Sequence, residues 1–298
     1  MTTIRRLRTS LAALVAVLLA ASALAQSPAG ATKPPAPGPG KTPLGANVRY
    51  LLELERTTGA LTGFEWKPTA LTVGAKPNRA QRGFVMHAGS SAPPALYRWL
   101  AGSLDNTAPP LEGAVFASVP AMGTFEALEF SQGRLTEIVF PAVDVASRDA
   151  VQMAVHVDAG SMQKRAGATA KVPQPPSGAR WPASKFRVTM GKVDPKDVVH
   201  VDAFALRPNQ PARLKLMVLA RNPAVRRALE EARGAPQPLR FDWLAGDGKT
   251  VLATLELPNA HMVSLMAPSA ASASKAGAQF TVEVEDHPKL SFASTLGH

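Results

Sequence analysis

The chain carries an internal sequence repeat, which restricts its possible folds more than any other feature. The segment Leu128–Asp158 aligns without a gap on Leu255–Glu285, and eight of the 31 aligned positions are identical. Apolar residues also recur at matching places in the two segments. Two unrelated β segments that share a pattern are the alternative explanation. We favour an internal duplication, which predicts two copies of one small fold.

Short runs of alternating or continuous apolar residues predict strands in both halves of the chain. In the first half these runs are Val48–Leu54, Ala114–Val119, Thr124–Phe130, Leu135–Phe140 and Val151–Val157. In the second half they are Arg187–Met190, Val198–Phe204, Leu214–Leu219, Leu239–Trp243, Val251–Leu257, His261–Met266 and Gln279–Val284. The runs are too short and too numerous for a helical protein, so the pattern predicts a mainly β fold.

One helix is predicted in each half, and prolines mark where both begin. The first follows Pro93-Pro94, and the second follows Asn222-Pro223 and ends at Gly234. Proline suits the first turn of a helix because its missing N–H has no partner there, while asparagine caps the free amides and glycine ends the helix. The two helices align with each other, Pro94 on Pro223, in nearly the same register as the repeat.

Proline-rich stretches predict the domain boundaries. Residues 26–46 and 165–184 are rich in Pro, Gly and Ala and contain little that can form a core, so both are predicted to be linkers. They delimit two predicted β domains, at 47–164 and 185–298. Trp181 lies inside the second linker and is predicted to pack on a neighbouring domain, because an exposed lone tryptophan is unusual.

The N-terminus has the pattern of a cleavable signal peptide over residues 1–25. Arginines precede a short apolar run, and Ala23-Leu24-Ala25 supplies small residues for cleavage after Ala25. A retained membrane anchor is the alternative, but spanning a bilayer takes about 20 apolar residues and this run is shorter. We therefore expect a periplasmic or secreted protein whose mature chain has no transmembrane segment.

Composition excludes several classes of function. The chain has no cysteine, which removes disulfides, thiol catalysis and a lipoprotein anchor. Its net charge is +11, but the lysines and arginines are scattered and do not alternate with aromatic residues as a nucleic-acid groove would require. We predict no nucleic-acid partner.

The pentapeptide VHVDA occurs twice, at Val155–Ala159 and Val199–Ala203, and is the one motif with metal-ligand spacing. In a strand the histidine and aspartate of each copy share a face, where such residues are usually solvated. The repeat aligns the first copy with Val282–Asp286, so the two pentapeptides do not occupy equivalent positions. We interpret their identity as chance and predict no metal site.

No catalytic motif stands out elsewhere. G-x-S-x-G, the P-loop and H-E-x-x-H are absent from the sequence. The serines after His87 are more typical of a loop than of a triad, and the carboxylate pair Glu283/Glu285 is more typical of a solvated strand face. We predict no catalytic residue, no cofactor and no enzyme activity.

The first predicted domain resembles the tail-tube proteins of contractile phages, which share a fold with the haemolysin-coregulated tube protein of type VI secretion. A strand that ends in glycine precedes a helix with an L-Y-x-W core, and a proline follows one of the later apolar strands. The residues concerned are Gly83–Gly89, Ala95–Leu100, Ala127–Phe130, Leu135–Phe140, Pro141 and Gln152–Asp158. The resemblance covers residues 80–160 and, through the repeat, extends to 213–290.

This resemblance implies two tandem small β-barrels, each flanked by one α-helix. It also implies a function in assembly, since barrels of this family join at their edges into rings of six, and two barrels in one chain give such a ring from three chains. We expect an exported structural protein whose partner is itself or another envelope or tail-like protein. The alternative is a periplasmic binding module that clasps a ligand or envelope partner between two β domains.

Overall fold

Strands dominate the structure, as the apolar runs predict. The computed structural model describes residues 48–66, 83–119, 124–165, 180–267, 278–294 and 296. From Ala46 onward these residues belong to one compact unit. The predicted signal peptide, all of the first linker and most of the second linker lie outside the described residues. The mainly β fold class is confirmed, whereas the domain boundaries stay a prediction.

The described residues of the first half contain one α-helix among their strands. Its elements are β1 (Arg49–Leu54), β2 (Thr57–Leu61), β3 (Gly63–Trp66), β4 (Gly83–Ala88), α1 (Pro94–Leu104), β5 (Leu111–Val119), β6 (Thr124–Phe140), β7 (Val143–Asp144), β8 (Ala150–Val151), β9 (Met153–Asp158) and β10 (Ser161–Arg165).

The described residues of the second half likewise contain one α-helix among their strands. Its elements are β11 (Trp181–Pro182), β12 (Phe186–Met190), a 3-10 turn (Pro195–Asp197), β13 (Val198–Val201), β14 (Phe204–Leu206), β15 (Ala212–Ala220), α2 (Pro223–Gly234), β16 (Gln237–Leu244), β17 (Val251–Met266), β18 (Ala278–Asp286) and β19 (Lys289–Phe292).

The predicted helices form where proline places them. Pro94 is the first residue of α1 and Pro223 the first of α2. The side chain of Asn222 accepts hydrogen bonds from the amides of Ala224 and Val225, so the predicted N-cap is confirmed.

Six strands pair in the same order in both halves. The order is β1-β5-β6-β9-β4-β3 in the first and β12-β16-β17-β18-β15-β13 in the second. We call residues 49–165 the first copy and residues 186–292 the second copy. The sequence repeat therefore corresponds to a structural repeat.

The β-bulges repeat as well as the strands. The register of β6 against β9 shifts between Leu135 and Glu137, and that of β17 against β18 shifts between Met262 and Ser264. The sequence repeat aligns these two pairs of residues with each other. A bulge inserts one residue and bends its strand, so matching bulges give the two copies matching curvature. The alignment read from the sequence is thus also the alignment of the pairing register.

In each copy a short segment of the chain links the first strand of the pairing order to the last one. In the first copy β2 pairs with β1 and β3 pairs with β4, and only Thr62 separates β2 from β3. In the second copy Val193 forms a bridge to Met190 of β12, and β13 then pairs with β15. The first and last strands of each order are therefore connected along the chain by a short segment.

Two predicted strand breaks do not occur. Thr124–Phe130 and Leu135–Phe140 belong to the single strand β6, and Val251–Leu257 and His261–Met266 belong to β17. The polar residues between the runs are typical of a turn. They stay in the strand because neighbours hold them, with Ser131 paired to β10 and Gly133 paired to β5.

Among the described residues, no helix is long and apolar enough to cross a membrane.

Candidate functional site

The two copies are joined by strand pairing, and this junction combines polar and apolar contacts. The end of β6 pairs with β14, with Phe140 opposite Phe204 and Ile138 opposite Leu206. Just beyond, β7 pairs with β13, which sets Asp144 opposite His200. Strands of the first copy thus continue into the sheet of the second.

The length of β6 explains why the junction forms there. β5 accompanies β6 only as far as Gly133, while β9 pairs with it through Val139. The last residues of β6 would therefore keep one row of backbone N–H and C=O groups unpaired, which is costly when buried and promotes unspecific pairing when exposed. β14 pairs with that row.

An aromatic cluster fills the space under the paired strands. The ring of Phe140, from the first copy, stacks on Trp243 at 4.5 Å and on Phe204 at 5.2 Å, both from the second copy. Phe241 stacks on Trp243 at 4.0 Å. Phe140 and Trp243 are fully buried. Aromatic pairs contribute about 0.5–1.5 kcal/mol each beyond the area they bury, so this cluster is a strong link between the copies.

Trp181 completes the cluster from the segment between the copies. Its side chain is 1% exposed and its ring lies 6.1 Å from that of Trp243. β11, which contains Trp181, pairs with β8 of the first copy. The prediction that Trp181 packs on a neighbouring part of the chain is confirmed.

The helix α1 of the first copy also packs against the second copy. Tyr97 packs on Phe292 of β19 with ring centroids 5.0 Å apart, and its hydroxyl donates a hydrogen bond to the carbonyl of Gly89. Burial raises the pKa of the Tyr97 hydroxyl well above its usual range, although a backbone hydrogen bond opposes this shift. The buried residues of α1 are Ala95, Leu96, Tyr97, Trp99, Leu100, Ser103 and Leu104.

A charged cluster spans the edge of the junction. Nδ1 of His200 lies 3.1 Å from a carboxylate oxygen of Asp144, and its Nε2 lies 2.9 Å from one of Asp202. Lys215 approaches Asp202 at 3.2 Å. Burial by itself raises the pKa of Asp202, but hydrogen bonds from Lys215 and His200 outweigh it, so the pKa lies below its usual value. A protonated imidazole donates to both carboxylates, whereas a neutral one donates to only one.

The structure gives the VHVDA motif a role that sequence reasoning missed. Val155–Asp158 lies in β9 within the first copy, whereas His200 and Asp202 of the second motif belong to the junction. The two motifs are not equivalent in the strand order, as the repeat predicts. The polar contact of His200 to Asp144 joins residues 56 positions apart, and no local pattern indicates it.

The other sequence candidates do not converge on a site. His87 is hydrogen-bonded to Glu65, with 2.9 Å between its Nε2 and the carboxylate oxygen, and the Ser91 hydroxyl donates to the carbonyl of Ala60. Glu283 and Glu285 both face Arg213 as an ion-paired strand surface. Within the described ranges, no group of three or more His, Asp or Glu residues has the arrangement of a metal site.

Comparison with known proteins finds distant similarity to solved structures. No family model and no curated protein matches the chain. Among solved structures, the chain is similar to the tube-terminating cap of the anti-feeding prophage, with 17% identity, a TM-score of 0.30, and coverage of 42% of this chain and 96% of that one. It is also similar to the sheath-tube complex of an extracellular contractile injection system, PVC, with 15% identity, a TM-score of 0.30, and coverage of 41% and 95%.

Proposed function

We propose that this protein is a non-enzymatic structural protein that acts by self-assembly, as a pair of tail-tube-like β-barrels in one chain. In each copy six strands pair in one order and a short segment links the first strand to the last, which supports a closed barrel. Closure leaves few free strand edges, and the edges that remain become the sites of docking.

The junction between the copies carries this proposal. It joins two different surfaces, the end of β6 with β7 on the first copy and β13 with β14 on the second. Such a head-to-tail contact can repeat, because each copy keeps the surface that it does not use in the junction. Repetition with a closing rotation gives a ring, and three chains contribute six copies.

The chain acts outside the cytoplasm in this proposal, because residues 1–25 have the pattern of a cleavable signal peptide. The linker-like composition of residues 26–46 then provides a tether between the N-terminus and the first copy. The partner is another molecule of the same chain or a related tail-like or envelope protein.

A binding module that clasps a ligand between two domains is the competing function. Such a module needs a cleft between its domains, whereas buried aromatic rings occupy the space between these copies. The packed junction favours assembly.

Light scattering coupled to size exclusion tests the proposal on the purified chain over a hundredfold range of concentration. We expect a mass that rises with concentration to a multiple of the single chain. A single-chain mass at every concentration would refute self-assembly and leave the binding module as the better function.

A further inference from the structure

Two neighbouring cavities flank the segment that connects α1 to β5. The larger has a volume of about 660 Å³ and the smaller one of about 250 Å³. They share a wall that is formed by Trp99, Ala108, Pro109 and Pro110. We call the two cavities together the α1–β5 groove. Ligand cavities usually have volumes of about 300–1,000 Å³, so the larger cavity is of sufficient size for a ligand.

The segment that forms this wall is longer in the first copy than in the second. It has six residues, 105–110, between the end of α1 at Leu104 and the start of β5 at Leu111. In the second copy only residues 235 and 236 separate α2 from β16. Because the second copy makes the same helix-to-strand connection with two residues, the fold does not require the longer segment.

Left-handed backbone is concentrated around the groove. Among the described residues, those other than glycine with a positive φ are Glu55, Arg56, Asn106, Gln132 and Asn209. Glu55 and Gln132 line the larger cavity and Asn106 lines the smaller one. The side-chain amide of Asn106 donates a hydrogen bond to the side chain of Asn209. Residues held in this unfavourable conformation cluster at ligand-binding sites, so their position here indicates a function for the groove.

Gln132 is the most unusual of these residues. Its φ is 55°, a conformation that asparagine tolerates better than glutamine does. The repeat aligns Gln132 with Asn259, whose φ is not positive although it is an asparagine. The strained backbone is therefore specific to the first copy, as the longer segment is.

The groove presents polar side chains of both charges. Glu112, Gln132 and Arg134 are exposed, and they form no hydrogen bond or ion pair within the described residues. Arg98 and Glu55 form an ion pair of 3.0 Å at the larger cavity. Two arginines and two glutamates thus line the groove, which has no net charge although the chain carries +11. A balanced groove does not favour a polyanion or a polycation as ligand.

We propose that the α1–β5 groove binds an uncharged oligosaccharide. Sugar hydroxyls donate and accept hydrogen bonds, which suits the amide of Gln132, the carboxylate of Glu112 and the guanidinium of Arg134. The C–H faces of sugar rings are apolar and pack on the exposed rings of Pro109 and Pro110. Binding at the groove does not require self-assembly. In a protein that acts outside the cytoplasm, as proposed above, the groove provides attachment to a surface polysaccharide.

The strand pairing at the groove favours a sugar over an extended peptide. Peptide ligands often add to a free strand edge, where main-chain hydrogen bonds give affinity. At the groove, Leu111 of β5 and Gly133 of β6 pair with each other. The groups that face a ligand are therefore side chains, which favours a ligand with hydroxyl groups.

Isothermal titration calorimetry of the purified chain tests the proposal with three uncharged sugars, chitohexaose, cellohexaose and maltohexaose. We expect at least one of them to bind with a Kd of about 1 mM or tighter. Its Kd is expected to change little between about 50 and 300 mM NaCl, because neither the groove nor the sugar carries a net charge.

A pair of double variants locates the binding site. Gln132→Ala/Arg134→Ala is expected to weaken binding of that sugar by about tenfold or more, because it removes two groups that bind hydroxyls. Asn259→Ala/His261→Ala is the matched control, since the repeat aligns these exposed residues with Gln132 and Arg134. The control is expected to bind as the wild type does. Circular dichroism checks that both variants are folded.

Gln132→Gly separates a binding role of this side chain from a structural one. Glycine adopts a positive φ without strain, so the variant is expected to raise the melting temperature by about 2–4 °C while it weakens sugar binding. Asn259→Gly is the control, and no rise in melting temperature is expected because φ is not positive there. A purely structural role predicts a changed melting temperature with unchanged sugar affinity.

Each contrary outcome overturns a stated part of the proposal. No binding of any of the three sugars at millimolar concentration overturns it altogether. Equal loss of binding in the two double variants overturns the assignment to this groove. Tighter binding of a heparin hexasaccharide or of a hexaproline peptide than of every uncharged sugar overturns the ligand class. None of these results affects the proposed self-assembly, which light scattering tests without a sugar.

Discussion

Replacing Phe140 by alanine tests whether the two copies fold as one unit. Phe140 is fully buried in the first copy and stacks on Trp243 and Phe204 of the second. Truncating a buried phenylalanine to alanine costs about 3–5 kcal/mol, and the lost ring contacts place this site in the upper part of that range. A typical domain is stable by only about 5–15 kcal/mol, so we expect Phe140→Ala to remove a large share of the free energy of unfolding.

Urea unfolding followed by far-UV circular dichroism and by tryptophan fluorescence measures this loss. Two of the four tryptophans, Trp181 and Trp243, report on the junction, and the other two, Trp66 and Trp99, report on the first copy. Wild type and variant are expected to unfold in one transition that coincides in both signals, with the variant's midpoint much lower. Val145→Ala, at an exposed position, is expected to change the midpoint little. A loss below about 1 kcal/mol for Phe140→Ala, or two separate transitions with only one shifted, would refute a shared core.

Three further predictions concern the supports of the copies. Asp242 is 1% exposed and accepts hydrogen bonds from Arg187, Arg240 and Thr254, which lower its pKa against the effect of burial. Asp242→Asn is therefore expected to lower the free energy of unfolding by about 2–3 kcal/mol, measured by calorimetry. A Cβ at Gly113 would lie 2.4 Å from the backbone oxygen of Glu53, whereas a Cβ at Gly246 would meet no atom within 4 Å. Gly113→Ala is therefore expected to lower the melting temperature, and Gly246→Ala is expected to leave it unchanged. Because the pKa of Asp202 is lowered in the folded protein, its ionised carboxylate stabilises the fold above its usual pKa of about 4. This stabilisation is lost as the pH falls through the folded pKa. Acid unfolding of Asp202→Asn is therefore expected to be less steep than that of the wild type. An equal change of melting temperature in the two glycine variants would contradict the close approach at Gly113. An acid transition of Asp202→Asn as steep as that of the wild type would contradict the stabilising contacts of Asp202.

The repeat and most strands could be predicted because they depend on local pattern. Apolar alternation marks β9 and β15, and proline with asparagine marks the start of α2. The sequence alignment that reveals the repeat also matches the bulge of β6 with that of β17, because the residues that set the strand register are among those that align.

Other strands have no such pattern. Thr57–Leu61 and Gly63–Trp66 contain glycine and polar residues, and they are strands only because β1 and β4 pair with them. Single-sequence periodicity does not detect pairing of this kind.

The junction also depends on pairing between distant residues, so the sequence pattern does not indicate it. The pairing of Phe140 with Phe204 and the contact of Asp144 with His200 join residues far apart in the chain. The Pro-rich composition of residues 165–184 predicts separation of the two halves, and only Trp181 indicates contact. The alignment of the copies does not reveal the junction, because its two sides are different surfaces of the repeat.

Electron microscopy of the purified chain at high concentration tests the central claim most directly. The chain is expected to form closed rings with six similar lobes, two from each of three molecules joined head to tail. Isolated particles with two lobes at every concentration would contradict the account.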